Sequence, residues 1–154
     1  MDILSPERRS SLMGRIKAKD TQPEMVVRRI VFGLGRRYRL HSRALPGAPD
    51  LVLARDRKVI FVHGCFWHQH AHCTVARMPK SRIEYWRPKL EGNRLRDTKN
   101  VRRLRRSGWS VLIIRECQLS DMQRTATRLA EFLLERKTKQ RSEVTHPRAS
   151  RHDH

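Results

Sequence analysis

Negative charge is scarce in this chain: 15 Asp and Glu stand against 35 Lys and Arg, a formal net charge of +20 over 154 residues. Such a field repels itself and is better tolerated beside a polyanion, and its basic residues run along most of the length rather than in one tail. Nucleic acid is the first partner this suggests, an anionic membrane surface the second. Long apolar runs are lacking too. The longest, residues 59–62 and 111–114, are far too short to span a bilayer. Met1-Asp2-Ile3-Leu4 opens no signal peptide, so a cytoplasmic, nucleoid-associated protein without a membrane partner is expected. Cysteine is sparse and odd in number. Three thiols in a reducing compartment argue against a disulfide framework and for thiols that are buried, metal-bound or both. No internal repeat is visible, and the length fits one domain.

What is present centres on residues 49–73. Two short apolar runs, 51–53 and 59–62, flank the charged turn Ala54-Arg55-Asp56-Arg57-Lys58 and read as a β-hairpin. Asp50 enters the first strand; His63 and His68 leave the second. Antiparallel pairing sets the start of one strand beside the end of the other, so acid and imidazoles share one edge of the sheet. A carboxylate that can hold Mg2+ beside an imidazole that can take a proton from water is what phosphodiester hydrolysis needs.

Along the rest of the chain, residues 1–19 read as a very basic arm with a weak helix after Ser5-Pro6-Glu7. Thr21-Gln22-Pro23-Glu24 opens a second helix that ends at Gly33 and Gly35. Residues 37–41 look like an edge strand, and Leu45-Pro46-Gly47-Ala48-Pro49 is a turn-rich approach to Asp50. Tyr85-Trp86-Arg87-Pro88 leads into a basic helix over about 90–106, stopped by Ser107-Gly108. The run 109–115 reads as an apolar strand in the middle of the sheet, delivering Glu116-Cys117 to its end. A last helix spans about 121–137, and residues 138–154 lose nearly all apolar character and read as a disordered basic tail. This order predicts an α/β domain over residues 20–137 with a mixed sheet flanked by helices.

Each candidate residue has a plainer reading beside the chemical one. An Asp after Pro is often a turn residue. Asp50 gains weight because the second strand follows at the spacing seen in nucleases of the Pro-Asp…Asp/Glu-x-Lys class. Val62-His63-Gly64 stands where that class has an acid and a lysine. Either the site is dead, or histidines have replaced the lysine and the Val62 carbonyl serves as metal ligand. Thr21-x-x-Glu24 is a capping box. Cys65, Cys73 and Cys117 with His70 or His72 offer the donors of a closed tetrahedral Zn2+ site; three unconnected buried thiols are the alternative. Phe66, Trp67 and Trp86 could be core residues or wedges.

His63-Gly64-Cys65-Phe66-Trp67-His68, preceded by Leu45-Pro46-Gly47-Ala48-Pro49-Asp50 and followed by Glu84-Tyr85-Trp86, resembles the very short patch repair (Vsr) DNA mismatch endonucleases over roughly residues 8–135. The resemblance implies a restriction-endonuclease-like fold, catalytic Mg2+ and a structural zinc. It also implies nicking of one strand immediately 5′ of the thymine in a T·G mismatch, the product of 5-methylcytosine deamination. Carried onto this sequence, Asp50 matches the metal-binding aspartate and Val62 the main-chain oxygen ligand. His68 matches the water-activating base, His63 the second catalytic histidine and Glu24 a glutamate that supports the metal through water. Phe66, Trp67 and Trp86 match residues that insert beside the mismatch. Cys65, His70, Cys73 and Cys117 match the zinc ligands, with His72 as the alternative to His70. Double-stranded DNA with a T·G mismatch is then the partner of a monomeric enzyme, alongside mismatch-repair proteins and a repair polymerase. A restriction-type nuclease with another DNA target and a non-catalytic, zinc-stapled nucleic-acid-binding protein are the competing readings.

Overall fold

The computed structural model describes residues 20–74 and 76–135; the expected arm and tail lie outside the described residues. Helix α1 (Gln22–Gly33) is followed by the strands β1 (Arg39–Leu40), β2 (Leu51–Leu53) and β3 (Lys58–His63). Helix α2 (Ile83–Arg106) then crosses to β4 (Ser110–Arg115), and a short 3-10 turn (Glu116–Ser120) leads into α3 (Met122–Leu134). The sheet order is β1-β2-β3-β4, antiparallel as far as β3 and parallel between β3 and β4. A mixed sheet is thus present as the sequence predicts, with one correction. Among the described residues β4 lies at an edge of this sheet and β3 inside it; the centre of β4 is apolar because Leu112 and Ile114 join the helix-packed cluster on one face and Val111 and Ile113 the one on the other, not because the strand is central.

The two faces follow from the two-residue period of a strand. Leu51, Leu53, Ile60 and Val62 join Ile114 and pack against Val27 and Val31 of α1 and Leu129, Phe132 and Leu133 of α3. Val52, Val59 and Phe61 face the other way, onto Leu104 of α2. His63 continues the Phe61 row, its ring centroid 5.7 Å from that of Phe61, and so emerges on the α2 side. Val62 belongs to the opposite face.

Helix α2 starts earlier than its sequence suggests, at Ile83, and runs through Pro88. The proline forgoes one backbone bond, to the Glu84 carbonyl, while Trp86 in the turn before it is held by packing on Phe66 and Trp67. Lys58 is a second correction. Placed by sequence in a polar turn, it is the buried first residue of β3, its Nζ donating to the carbonyls of Phe132 (2.6 Å), Leu133 (3.1 Å) and Glu135 (2.6 Å). The cation thereby caps the negative end of α3.

Candidate active site

Register in the hairpin decides where the acid falls. Leu51 pairs with Ile60, so the next residue back, Asp50, reaches the end of β3, and its Oδ2 accepts a 2.6 Å bond from the Val62 N–H. The turn leading in is tight. Gly47 has a left-handed φ of 75°, and a Cβ there would meet the Phe61 ring at 3.2 Å and Asn100 at 3.1 Å. Burial pushes the Asp50 carboxyl up to about 6, against the Val62 bond and with help from the Glu24 charge. A half-desolvated carboxylate with one oxygen committed to a single N–H is a fitting ligand for a hard divalent cation, whose charge relieves the cost of ionising there.

One group that sequence reasoning did not single out flanks Asp50. His41, at a left-handed φ of 47° just past β1, donates its backbone N–H to the Asp50 carbonyl at 3.2 Å and holds Nδ1 3.8 Å from Asp50 Oδ1. Its Nε2 lies 3.0 Å from Arg28 Nη2. That buried guanidinium also donates to Glu24 (3.0 Å) and Asp20 (2.6 Å). Glu24 itself is buried, and its N–H donates to Thr21 Oγ1 at 3.4 Å while its Oε2 accepts from the Asp20 N–H at 3.2 Å. Helix capping is therefore present, and the same carboxylate lines the cleft with Asp50.

Across that cleft, about 730 Å³ in volume, the imidazoles of His63 and His68 stack with centroids 3.9 Å apart and planes 9° from parallel. His68 Nδ1 lies 2.6 Å from Asp97 Oδ2. This fixes the ring: an ionised carboxylate can only accept, so Nδ1 carries the proton and Nε2 is left with its lone pair. His63 is buried, and burial together with His68 holds it down at about 4, so it is a neutral imidazole at physiological pH. Asp97 is the second missed residue. A signal for it exists: it lies seven positions from each of the buried residues Leu90 and Leu104, a carboxylate on the inward stripe of a helix whose other polar residues are mostly basic.

The thiols converge as their types suggest. Ligand atoms of Cys65, His70, Cys73 and Cys117 all lie within 4.8 Å of one another, with His70 Nε2 3.3 Å from Cys65 Sγ and 3.6 Å from Cys117 Sγ. Three sulfurs and one nitrogen at that spacing could hold a tetrahedral metal. His72 is exposed, with a left-handed φ of 60°, and is not among these donors. The rings of Phe66, Trp67 and Trp86 form one half-buried cluster, centroids 5.0 to 5.9 Å apart. Lys89 Nζ stands over Trp67 and Trp86 at 5.8 and 5.9 Å.

The chain has relatives among known proteins. Residues 1–74 match the family described as DNA mismatch endonuclease Vsr. A type II nicking enzyme, V.XorIIP of Xanthomonas oryzae pv. oryzae, is 47% identical over 86% of this chain and 96% of its own length. The chain belongs to the Vsr family of DNA mismatch endonucleases. DNA mismatch endonuclease Vsr of Escherichia coli K12 is 41% identical over 77% of this chain and 75% of its own length. In fold, the chain is similar to the catalytic domain of the homing endonuclease I-Bth0305I, with a TM-score of 0.50 at 18% identity, covering 73% of this chain and 94% of that one. Membership makes this chain a DNA endonuclease. Among the described residues no helix is long and apolar enough to cross a membrane.

Proposed function

We propose that this Vsr-family endonuclease is Mg2+-dependent and nicks one strand immediately 5′ of the thymine in a T·G mismatch. The observation that carries the chemistry is the convergence of Asp50 with the His63–His68–Asp97 group on one cleft at the end of β3. Asp50 and the Val62 carbonyl oxygen are the residues that would hold Mg2+, which when bound polarises the scissile phosphate and stabilises the leaving oxygen. Glu24 supports that position through water.

His68 is the general base. With Nδ1–H held by Asp97, its Nε2 takes the proton from the attacking water, and the carboxylate stabilises the imidazolium that forms. His63, neutral and stacked flat on His68, fixes the plane of the base and offers the phosphate an uncharged hydrogen-bond partner. Phe66, Trp67 and Trp86 serve as the wedge beside the mismatch. A mismatched step costs less to unstack than a paired one, which itself contributes to selectivity. Cys65, His70, Cys73 and Cys117 hold a structural Zn2+ that staples the loop after β3 to the turn after β4. Because a single-strand cut needs one active site, the enzyme works as a monomer.

The test is a gel assay on end-labelled duplexes that differ in one base, T·G against C·G, with Mg2+ and with EDTA. A metal-dependent single nick 5′ of the mismatched thymine is expected. Cutting of both strands of the matched duplex would favour a restriction-type enzyme, and tight binding without cutting would leave a nucleic-acid-binding protein.

A further inference from the structure

Behind the histidines lies a second groove, about 460 Å³ in volume, that the chemistry above does not use. Its floor is apolar, Val101 of α2 and Ile113 of β4, and its walls carry Arg94, Arg102 and Arg105 of α2 with Arg115 at the end of β4. Residues 94, 98, 102 and 105 fall on one stripe of the helix, and the small Thr98 leaves the space between the guanidiniums open. The groove extends along about 16 Å of helix axis. The one carboxylate that lines it, Asp97, is engaged by His68. Among the described residues none of the four arginines forms an ion pair with a carboxylate.

Four guanidiniums gathered on an apolar floor repel one another unless an anion with several acceptor oxygens lies between them. The planar fork of arginine suits phosphate in particular. Position supplies the rest. His63, His68 and Asp97 line both clefts, so the histidine wall separates the proposed cutting site from this groove, and a strand crossing the wall enters it. We propose that the groove between α2 and the end of β4 binds backbone phosphates of the same DNA duplex that is cut in the first cleft. The duplex as occupant rests on the endonuclease reading. Its role is to seat the backbone against the histidine wall: the contacts position the strand and read no base.

The experiment measures binding of the full-length protein to a labelled T·G duplex in EDTA between about 50 and 200 mM salt, where each phosphate contact contributes about −0.9 to the slope of log K against log salt. Three proteins are compared: the parent, an Arg102→Gln/Arg105→Gln double variant, and an Arg55→Gln/Arg124→Gln control. The control removes the same charge at the exposed β2–β3 turn and on α3, across the sheet from α2. All four substituted arginines are exposed, so folding is not at stake. The groove variant should lose about one to two units of slope while the control stays within a few tenths of the parent. Equal slopes for the groove variant and the control overturn the proposal. A parent that nicks T·G duplex while the groove variant keeps its slope removes the groove and leaves the endonuclease; a parent that never nicks, with the slope lost as expected, does the reverse.

Discussion

At its first residue β3 buries a lysine and at its last a histidine, with four residues between them. Lys58 donates to three carbonyls at the end of α3, so its charge is spent on the fold and nothing is left for a ligand. At the other end polar groups are buried with fewer bonds than they could make. Asp50 is pushed up to about 6 and His63 down to about 4, so the charged form of each is disfavoured while it waits in the cleft. One strand thus carries a satisfied end that stabilises and an unsatisfied end that can react, and substitutions at the two ends should fail in different ways.

The largest expected effect is on turnover at the reactive end. His68→Ala and Asp50→Ala should each lower the nicking rate of T·G duplex by at least about 10²–10⁴-fold with affinity in EDTA unchanged. Activity surviving Asp50→Ala would rule out the metal assignment. Asp97→Asn comes next. An amide can present its NH2 to Nδ1 and stabilise the wrong tautomer, so a drop of roughly 10²-fold is expected, with melting temperature kept within a few degrees. A rate unchanged by Asp97→Asn would mean that His68 is not the base.

These three substitutions also mark what the sequence discloses. Asp50, His63 and His68 were legible because a hairpin places strand start and strand end together by a local rule, and Cys65, His70 and Cys73 because donor types cluster within nine positions. Asp97 and His41 were not. Asp97 meets His68 across 29 positions, only through the crossing of α2 over the sheet, and His41 meets Asp50 through a two-residue edge strand. Lys58 looked like a turn lysine because nothing within the hairpin shows that α3, more than sixty residues later, ends above it. The edge position of β4 escaped for the same reason: covering helices give an edge strand the composition of a central one.

The satisfied end should break quietly. Lys58→Met keeps the apolar stem and removes the charge, leaving helix-terminal carbonyls without their donor; a loss of about 2–3 kcal/mol in unfolding free energy is expected, read by denaturant titration. Turnover per folded molecule should stay within about twofold. A variant that is fully stable but slow would show that the two ends are coupled through β3 and that the contrast between them is wrong.

The smallest effect has the opposite sign. Between the ordinary carboxylate value of 3.8 and about 6 the folded protein holds a proton on Asp50 that the unfolded chain has lost, so stability falls as pH rises through that window and the cost is complete above it. His63 works the other way: held at about 4 against an ordinary 6.5, it leaves the unfolded chain with the extra proton, and stability rises with pH over that range. In the metal-free parent the two slopes oppose each other. Asp50→Asn keeps an oxygen to accept from the Val62 N–H and removes the first slope, so the variant should be more stable than the parent by about 3 kcal/mol above pH 6. Its stability should also climb more steeply between about pH 4 and 6.5. Millimolar Mg2+ should stabilise the parent and not the variant. A variant that is less stable than the metal-free parent at pH 7 would show that Asp50, like Lys58, is spent on the fold rather than held in reserve for a cation.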